Sequence, residues 1–285
     1  MSVINTNTAA TLTQNAIIKN ERAMSTAMEQ LATGKRINKA SDDAAGLAIA
    51  SRMTSQINGV SQAARNANDA ISLLQTADGA LIEVTNMLQR MRELAVQAAT
   101  DTNSSDDRAS LSAEFVALRT EIDRVASNTQ WNGENILDET GGSSGVYVFQ
   151  VGANSGQTIT LSIANFATTM TGGNITPLSG INGTTITGIT TQSKATLAMA
   201  ALDTAIGNLN TERAELGAIM NQLGYAADNL LNVKANAEAS RSRVEDTDYA
   251  AATTELARTQ IIQQAATAML AQANQIPQTV LALLK

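Results

Sequence analysis

The sequence predicts a mainly α fold: a long antiparallel helical bundle or coiled coil with a small β-hairpin region, its N- and C-termini paired. Three observations point there. Apolar residues recur at alternating steps of three and four near both ends of the chain, the spacing of a helix that buries a narrow seam against another helix. These seams flank one Gly/Thr-rich middle in which the period changes. The chain is 44% hydrophobic but only 2% aromatic, so Ala, Leu, Ile and Met must do the packing.

The elements follow in order. Residues 1 to about 35 read as an amphipathic helix, with Ala10, Ile17, Met24 and Leu31 seven apart. This segment is rich in Asn and Thr, which are poor helix formers, so it needs a partner to order it. Gly34 is placed to cap its C-terminus. Ser41 is the expected N-cap of the next helix, with Asp42 and Asp43 in the positive first turn. That helix runs from about residue 43 to 100, roughly 85 Å at 1.5 Å per residue. Its seam is Ala50, Met53, Ile57, Val60, Ala64, Ala67, Ile71 and Leu74. Gly59 and Gly79 within it cost about 1 kcal/mol each relative to Ala, which packing must offset. Ser104 and Asp107 fit a capping box. The helix after them carries Leu111, Phe115, Leu118, Ile122 and Val125 and ends before the turn signal Trp131-Asn132-Gly133.

From about 130 to 192 lies the β-hairpin region. VYVFQVG and TITLSI read as strands joined by the loop GANSGQ. The Thr/Gly-rich stretch that follows carries no helical seam and is expected to be the most exposed part of the chain. A long helix then begins near Ser193. Its seam is Met199, Leu202, Ile206, Leu209, Leu216, Met220, Leu223, Ala227 and Leu230, interrupted by Arg213. The last helix starts near Thr247, with the seam Ile262, Ala266, Met269, Ala273, Ile276, Val280 and Leu283 and a kink or break expected at Pro277.

Composition narrows the function. Net charge is −7, with no basic patch, so nucleic acid is not an expected partner. There is no Cys and no His, which removes disulfides, zinc–thiolate sites and the commonest general base and metal ligand. No cofactor, metal or catalytic residue is expected. Asp42-Asp43 and Asp106-Asp107 read as helix-start carboxylates rather than metal pairs. The N-terminus lacks the pattern of a Sec signal peptide, and no stretch reaches the roughly 20 apolar residues of a membrane span.

Several long blocks resemble bacterial flagellins. LATGKRINKASDDAAGLAIASRM, LQRMRELAVQAATDTNS and EIDRVASNTQWNG lie in the front, FQVGANSGQTI in the middle, and ASRSRVEDTDYAAATTELARTQIIQQAATAMLAQANQIPQTVLALLK closes the chain. The likeness covers residues 1–163 and 193–285. It implies that residues 1–44 with 245–285 form a terminal coiled-coil domain lining the filament core. Residues 45–244 would form a helical-bundle domain with the β-hairpin region, and the large outer domains of longer flagellins would be missing. It further implies a secreted, extracellular subunit of the bacterial flagellum that polymerises with itself for swimming. Implied partners are an export chaperone and the type III export apparatus, hook-junction and filament-cap proteins, and the vertebrate Toll-like flagellin receptor. The stripe Gln89, Arg90, Glu93, Leu94 and Gln97, with Glu114 on the next helix, is implied to serve both subunit packing and receptor binding. Ile17, Met24 and Leu31 with the last-helix seam are implied to be the terminal packing residues. A hook–filament junction protein is the alternative within the same class. An adhesin would need a large aromatic-bearing exposed domain, and residues 164–192 carry one Phe and no Trp or Tyr. A zinc protease would need H-E-x-x-H, which a chain without His cannot supply.

Overall fold

The computed structural model describes residues 6–167, 178 and 188–283, with side chains through residue 275. Among these described residues are five helices, α1 (Thr8–Thr33), α2 (Ala44–Ala98), α3 (Ser105–Asn128), α4 (Gln192–Glu245) and α5 (Tyr249–Leu283), and the strands β1 (Gln130–Trp131), β2 (Glu134–Asn135), β3 (Val146–Gln150) and β4 (Thr158–Ser162). This is the mainly α architecture expected, with two small hairpins. The chain divides into two compact units, residues 1–57 with 235–285 and residues 58–234.

In the first unit, α1 pairs with α5. Gly34 closes α1 in the left-handed conformation (φ 72°), as its position suggests. The start of α2 differs from expectation. Ser41 does not cap it. The chain makes a further turn in which the Asp42 carboxylate accepts from Asn38 N and Lys39 N. Asp43 then becomes the cap, its carboxylate accepting from Gly46 N at 2.8 Å. The two backbone hydrogen bonds, from Lys39 and from Asn38, hold the Asp42 carboxyl below its ordinary pKa. Ile37 is buried against Gly46, where a Cβ would come within 2.5 Å of Ile37 Cδ1. Helix α5 runs uninterrupted through Pro277.

In the second unit, α2, α3 and α4 share one core with the hairpins. Asp78 pairs with Arg213, Arg92 pairs with Asp203, and Val60 packs with Leu230, so α2 and α4 run antiparallel. Arg213, the break in the α4 seam, is therefore tethered at 2.7 Å to the facing helix. Helix α3 begins with the full capping box, Ser104 Oγ accepting from Asp107 N while Asp107 accepts from Ser104 N. On its seam Phe115 and Ile122 are fully buried, while Leu111, Leu118 and Val125 are half-buried.

The turn Asn132-Gly133 makes the hairpin β1–β2, both residues at positive φ (50° and 86°). Asn-Gly suits such a turn because both positions demand the left-handed region. Strands β3 and β4 pair antiparallel, from Val146 opposite Ser162 to Gln150 opposite Thr158. Their connecting loop rests on α2 at Gly59, where a Cβ would meet Ala153 Cβ at 3.0 Å. That contact is the reason for a glycine inside the helix.

Of the Thr/Gly-rich stretch expected to be the most exposed, the few described residues divide: Leu178, Gly188 and Ile189 are buried, and Thr190, Thr191 and Gln192 are exposed. Ile163, Asn165, Phe166, Ala167, Leu178 and Ile189 are all buried. Phe166 N donates to Leu137 O, and Ile189 N to Ser112 Oγ. Ala164 N donates to Glu212, and burial pushes that carboxyl above its ordinary pKa. Residues 168–177 and 179–187 lie outside the described residues.

Candidate assembly surfaces

Helix α1 buries or half-buries Ala10, Thr13, Ile17, Asn20, Met24, Ala27 and Leu31. This is an unbroken three–four seam, and the expected residues Ile17, Met24 and Leu31 lie on it. Sequence reading missed its polar member. Asn20 is buried and donates through Nδ2 to Thr259 O at 2.7 Å. Asn7, at the start of the helix, donates likewise to Ala273 O at 2.9 Å. The signal was in the phase: Asn20 falls at a seam step, but a search for apolar residues alone skips it.

On α5 the inward positions are Ala252, Leu256, Thr259, Gln263, Ala266, Leu270 and Ala273. Ala266 and Ala273 are as expected. Ile262 and Met269 are not on this intrachain seam: they are 40% and 63% exposed. Each large apolar residue has a neighbour one place along, Gln263 or Leu270, that points inward instead. A helix apolar over much of its circumference offers two phases, and the facing helix selects one. The side chains of Ile276, Val280 and Leu283 lie outside the described residues.

The outward face of this pair is unusual. Leu12, Ile18 and Met28 on α1 and Ile261, Ile262 and Met269 on α5 are exposed. Residues 1–18 and 259–284 contain no charged side chain. Leu12, Ile18, Ile261, Ile262 and Met269 thus stand exposed within the charge-free segments, while Met28 lies outside them, next to Glu29.

In the second unit, the stripe from Gln89 to Gln97 divides. Gln89, Arg90, Glu93 and Gln97 are exposed, as is Glu114. Arg90 bridges Glu114 Oε1 at 2.9 Å and Glu93 Oε2 at 3.0 Å. These hydrogen bonds, Glu114's first and then Glu93's, raise the already high pKa of the guanidinium. Leu94 is the exception: it is 1% exposed and belongs to the core, so it presents nothing to a partner.

Among the described residues no cluster of acidic side chains is placed to hold a metal ion, and no helix is long and apolar enough to cross a membrane. What the described residues offer is a pair of long helices, α1 with α5, on which large apolar side chains stand exposed. Comparison with known proteins makes this specific. The bacterial flagellin N-terminal helical region matches residues 4–141, and the bacterial flagellin C-terminal helical region matches 199–284. A flagellin of Halalkalibacterium halodurans is 45% identical over 260 residues, 91% of each chain. The flagellin of Bacillus subtilis is 40% identical over 303 aligned positions, 99% of each chain. Flagellin A of Vibrio cholerae is 33% identical over 378 positions, again 99% of each. That last alignment is longer than the 285 residues of this chain, so the Vibrio protein carries insertions that are absent here. The chain belongs to the bacterial flagellin family, as a short form without outer domains. It is a structural component of the flagellar filament and not an enzyme.

Proposed function

We propose that the protein is exported through the flagellar type III apparatus, with a chaperone holding α5, and polymerises outside the cell into the filament. In this reading residues 1–44 with 245–285 line the filament core and residues 45–244 form the layer around it. Hook-junction and cap proteins adjoin the ends of the polymer. The observation that carries the reading is the outward face of the α1–α5 pair, above all Ile262 and Met269. An exposed residue tolerates an Asp in the monomer. In a subunit contact the same Asp is an unpaired buried charge that costs several kcal/mol. The double variant Ile262→Asp, Met269→Asp should keep the helicity and melting temperature of the wild-type monomer yet fail to polymerise. Normal filaments from this variant would place the face in solvent and remove the argument.

The surface around Arg90 supports a second role, as a ligand of the vertebrate Toll-like flagellin receptor. Two carboxylates of the same chain hold the guanidinium in place on an exposed face, so a partner meets a preorganised group. Arg90→Ala should reduce receptor activation by monomer in a reporter assay and also impair swimming, because one surface serves both contacts. A variant that signals and swims like wild type would eliminate this patch.

A further inference from the structure

We propose that Asn132 at the tip of the β1–β2 hairpin is a site of spontaneous covalent modification: in the folded protein it deamidates through a succinimide formed with Gly133. The chemistry needs only the turn and water, and stands apart from the filament reading. Gly133 N gives up its proton to hydroxide and attacks Cγ of Asn132. The new N–C bond closes a five-membered ring, and the Cγ–Nδ2 bond breaks with release of ammonia. Water then opens the ring. Opening at Cγ gives aspartate, and opening at the Asn132 main-chain carbonyl gives isoaspartate.

The turn meets each requirement of the attack. Gly133 has no side chain to crowd the ring, and a Cβ there would meet nothing within 4 Å, so the space around its N–H is open. Asn132 and Gly133 are both exposed. Among the described residues no hydrogen bond reaches the Asn132 side chain or the Gly133 N–H. The tip is lightly held. Only Gln130–Asn135 and Trp131–Glu134 pair above the stem, where Ile136 N donates to Thr129 O at 3.1 Å.

The same dipeptide occurs at Asn58-Gly59, where the fold forbids the reaction. There the pair lies inside α2, so Gly59 N is bonded within the helix and the helical backbone holds it away from the Asn58 side chain. Gly59 also packs against Ala153, so water has little access to its N–H. Attack at Asn58 requires α2 to open, which draws on the stability of the helix, whereas attack at Asn132 requires only motion of a turn. The third such dipeptide, Asn182-Gly183, lies outside the described residues.

The two products differ in what they do to the hairpin. Aspartate tolerates the left-handed conformation that Asn132 holds at φ 50°, so the turn survives. Its carboxylate then enters a cavity of about 440 Å³ that Asn132 shares with Asp69 and Trp131. Isoaspartate adds a main-chain methylene to a two-residue loop whose length fixes the register. The Trp131–Glu134 pair breaks, and Trp131 leaves its place against the core.

The test ages the full-length protein in warm, mildly alkaline buffer, with a parallel sample in urea. Cleavage after Arg and Glu releases residues 53–65 and 125–134, so the two sites are read on separate peptides, each by the mass gained when an amide NH₂ becomes OH. Fragmentation separates Asn132 from Asn128, and isoaspartyl methyltransferase labelling reports isoaspartate. The ratio of the rate in urea to the rate in buffer gives the protection that folding confers on each site. Protection should be slight at Asn132 and at least about tenfold greater at Asn58. The isoaspartyl form should show altered Trp131 fluorescence, and Asn132→Asp, made directly, should not. Equal protection at the two sites, or conversion in 125–134 confined to Asn128, overturns the proposal. Isoaspartyl protein with the fluorescence of fresh protein overturns the hairpin consequence.

Discussion

Gly59 and Gly79 sit in the same helix and differ in what surrounds them, so replacing each by Ala separates helix propensity from packing. Ala is favoured over Gly in a helix interior by about 0.8–1 kcal/mol. At Gly79 a Cβ meets nothing within 4 Å, so Gly79→Ala should realise that gain in full. For a unit of this size the melting temperature should rise by about 2–4 °C. At Gly59 the new Cβ lies 3.0 Å from Ala153 Cβ and 3.4 Å from its Cα. The loop cannot simply withdraw, because Asn66 Nδ2 holds it by donating to Gln150 O at 3.0 Å. Overpacking of this kind costs about 1–3 kcal/mol. Gly59→Ala should therefore be neutral or destabilising, at least about 1 kcal/mol worse than Gly79→Ala. Urea unfolding followed by the fluorescence of Trp131, the one Trp of the chain and half-buried against this core, measures both. Adding Ala153→Gly should restore the gain at position 59, and a double-mutant cycle gives the coupling. Equal stabilisation by both single variants, or no coupling to Ala153, would refute the contact as the reason for Gly59.

Two further outcomes follow from the second unit. Phe166→Ala should lower its stability by about 3–5 kcal/mol, because the ring is fully buried; a loss under about 1 kcal/mol would place the segment after β4 outside the core. At Asp138 burial acts to raise the carboxyl pKa, but bonds from Thr140 Oγ1, Thr140 N and Asn135 Nδ2 outweigh it, and the net shift is downward. A carboxyl lowered by folding stabilises fully above its unfolded pKa of 3.8 and loses that contribution as pH falls through its folded value. Asp138→Asn should therefore be less stable than wild type at neutral pH, with the gap narrowing below about pH 4 in urea titrations. A gap that stays constant down to about pH 2 would show that the carboxylate charge contributes nothing there.

The sequence by itself determined the helices, their order and the main hairpin. Three–four periodicity, capping residues such as Ser104 and Gly34, and the alternating strands VYVFQ and TITLS are local signals whose physics lies within a few residues. The family was equally legible, because its blocks are long and specific. What only the tertiary structure decided is which side of each apolar helix faces in. Ile262 and Gln263 are adjacent, and so are Met269 and Leu270. Nothing within α5 chooses between them; α1 does. Leu94 reads as part of an exposed stripe until α2, α3 and α4 close over it. The β1–β2 hairpin was signalled by Asn132-Gly133, but two-residue strands leave almost no alternation to detect. Phe166, Leu178 and Ile189 were hidden because isolated apolar residues in a Thr/Gly-rich stretch show no period. Their burial depends on a cavity assembled by residues far away in sequence, such as Leu137 and Ser112.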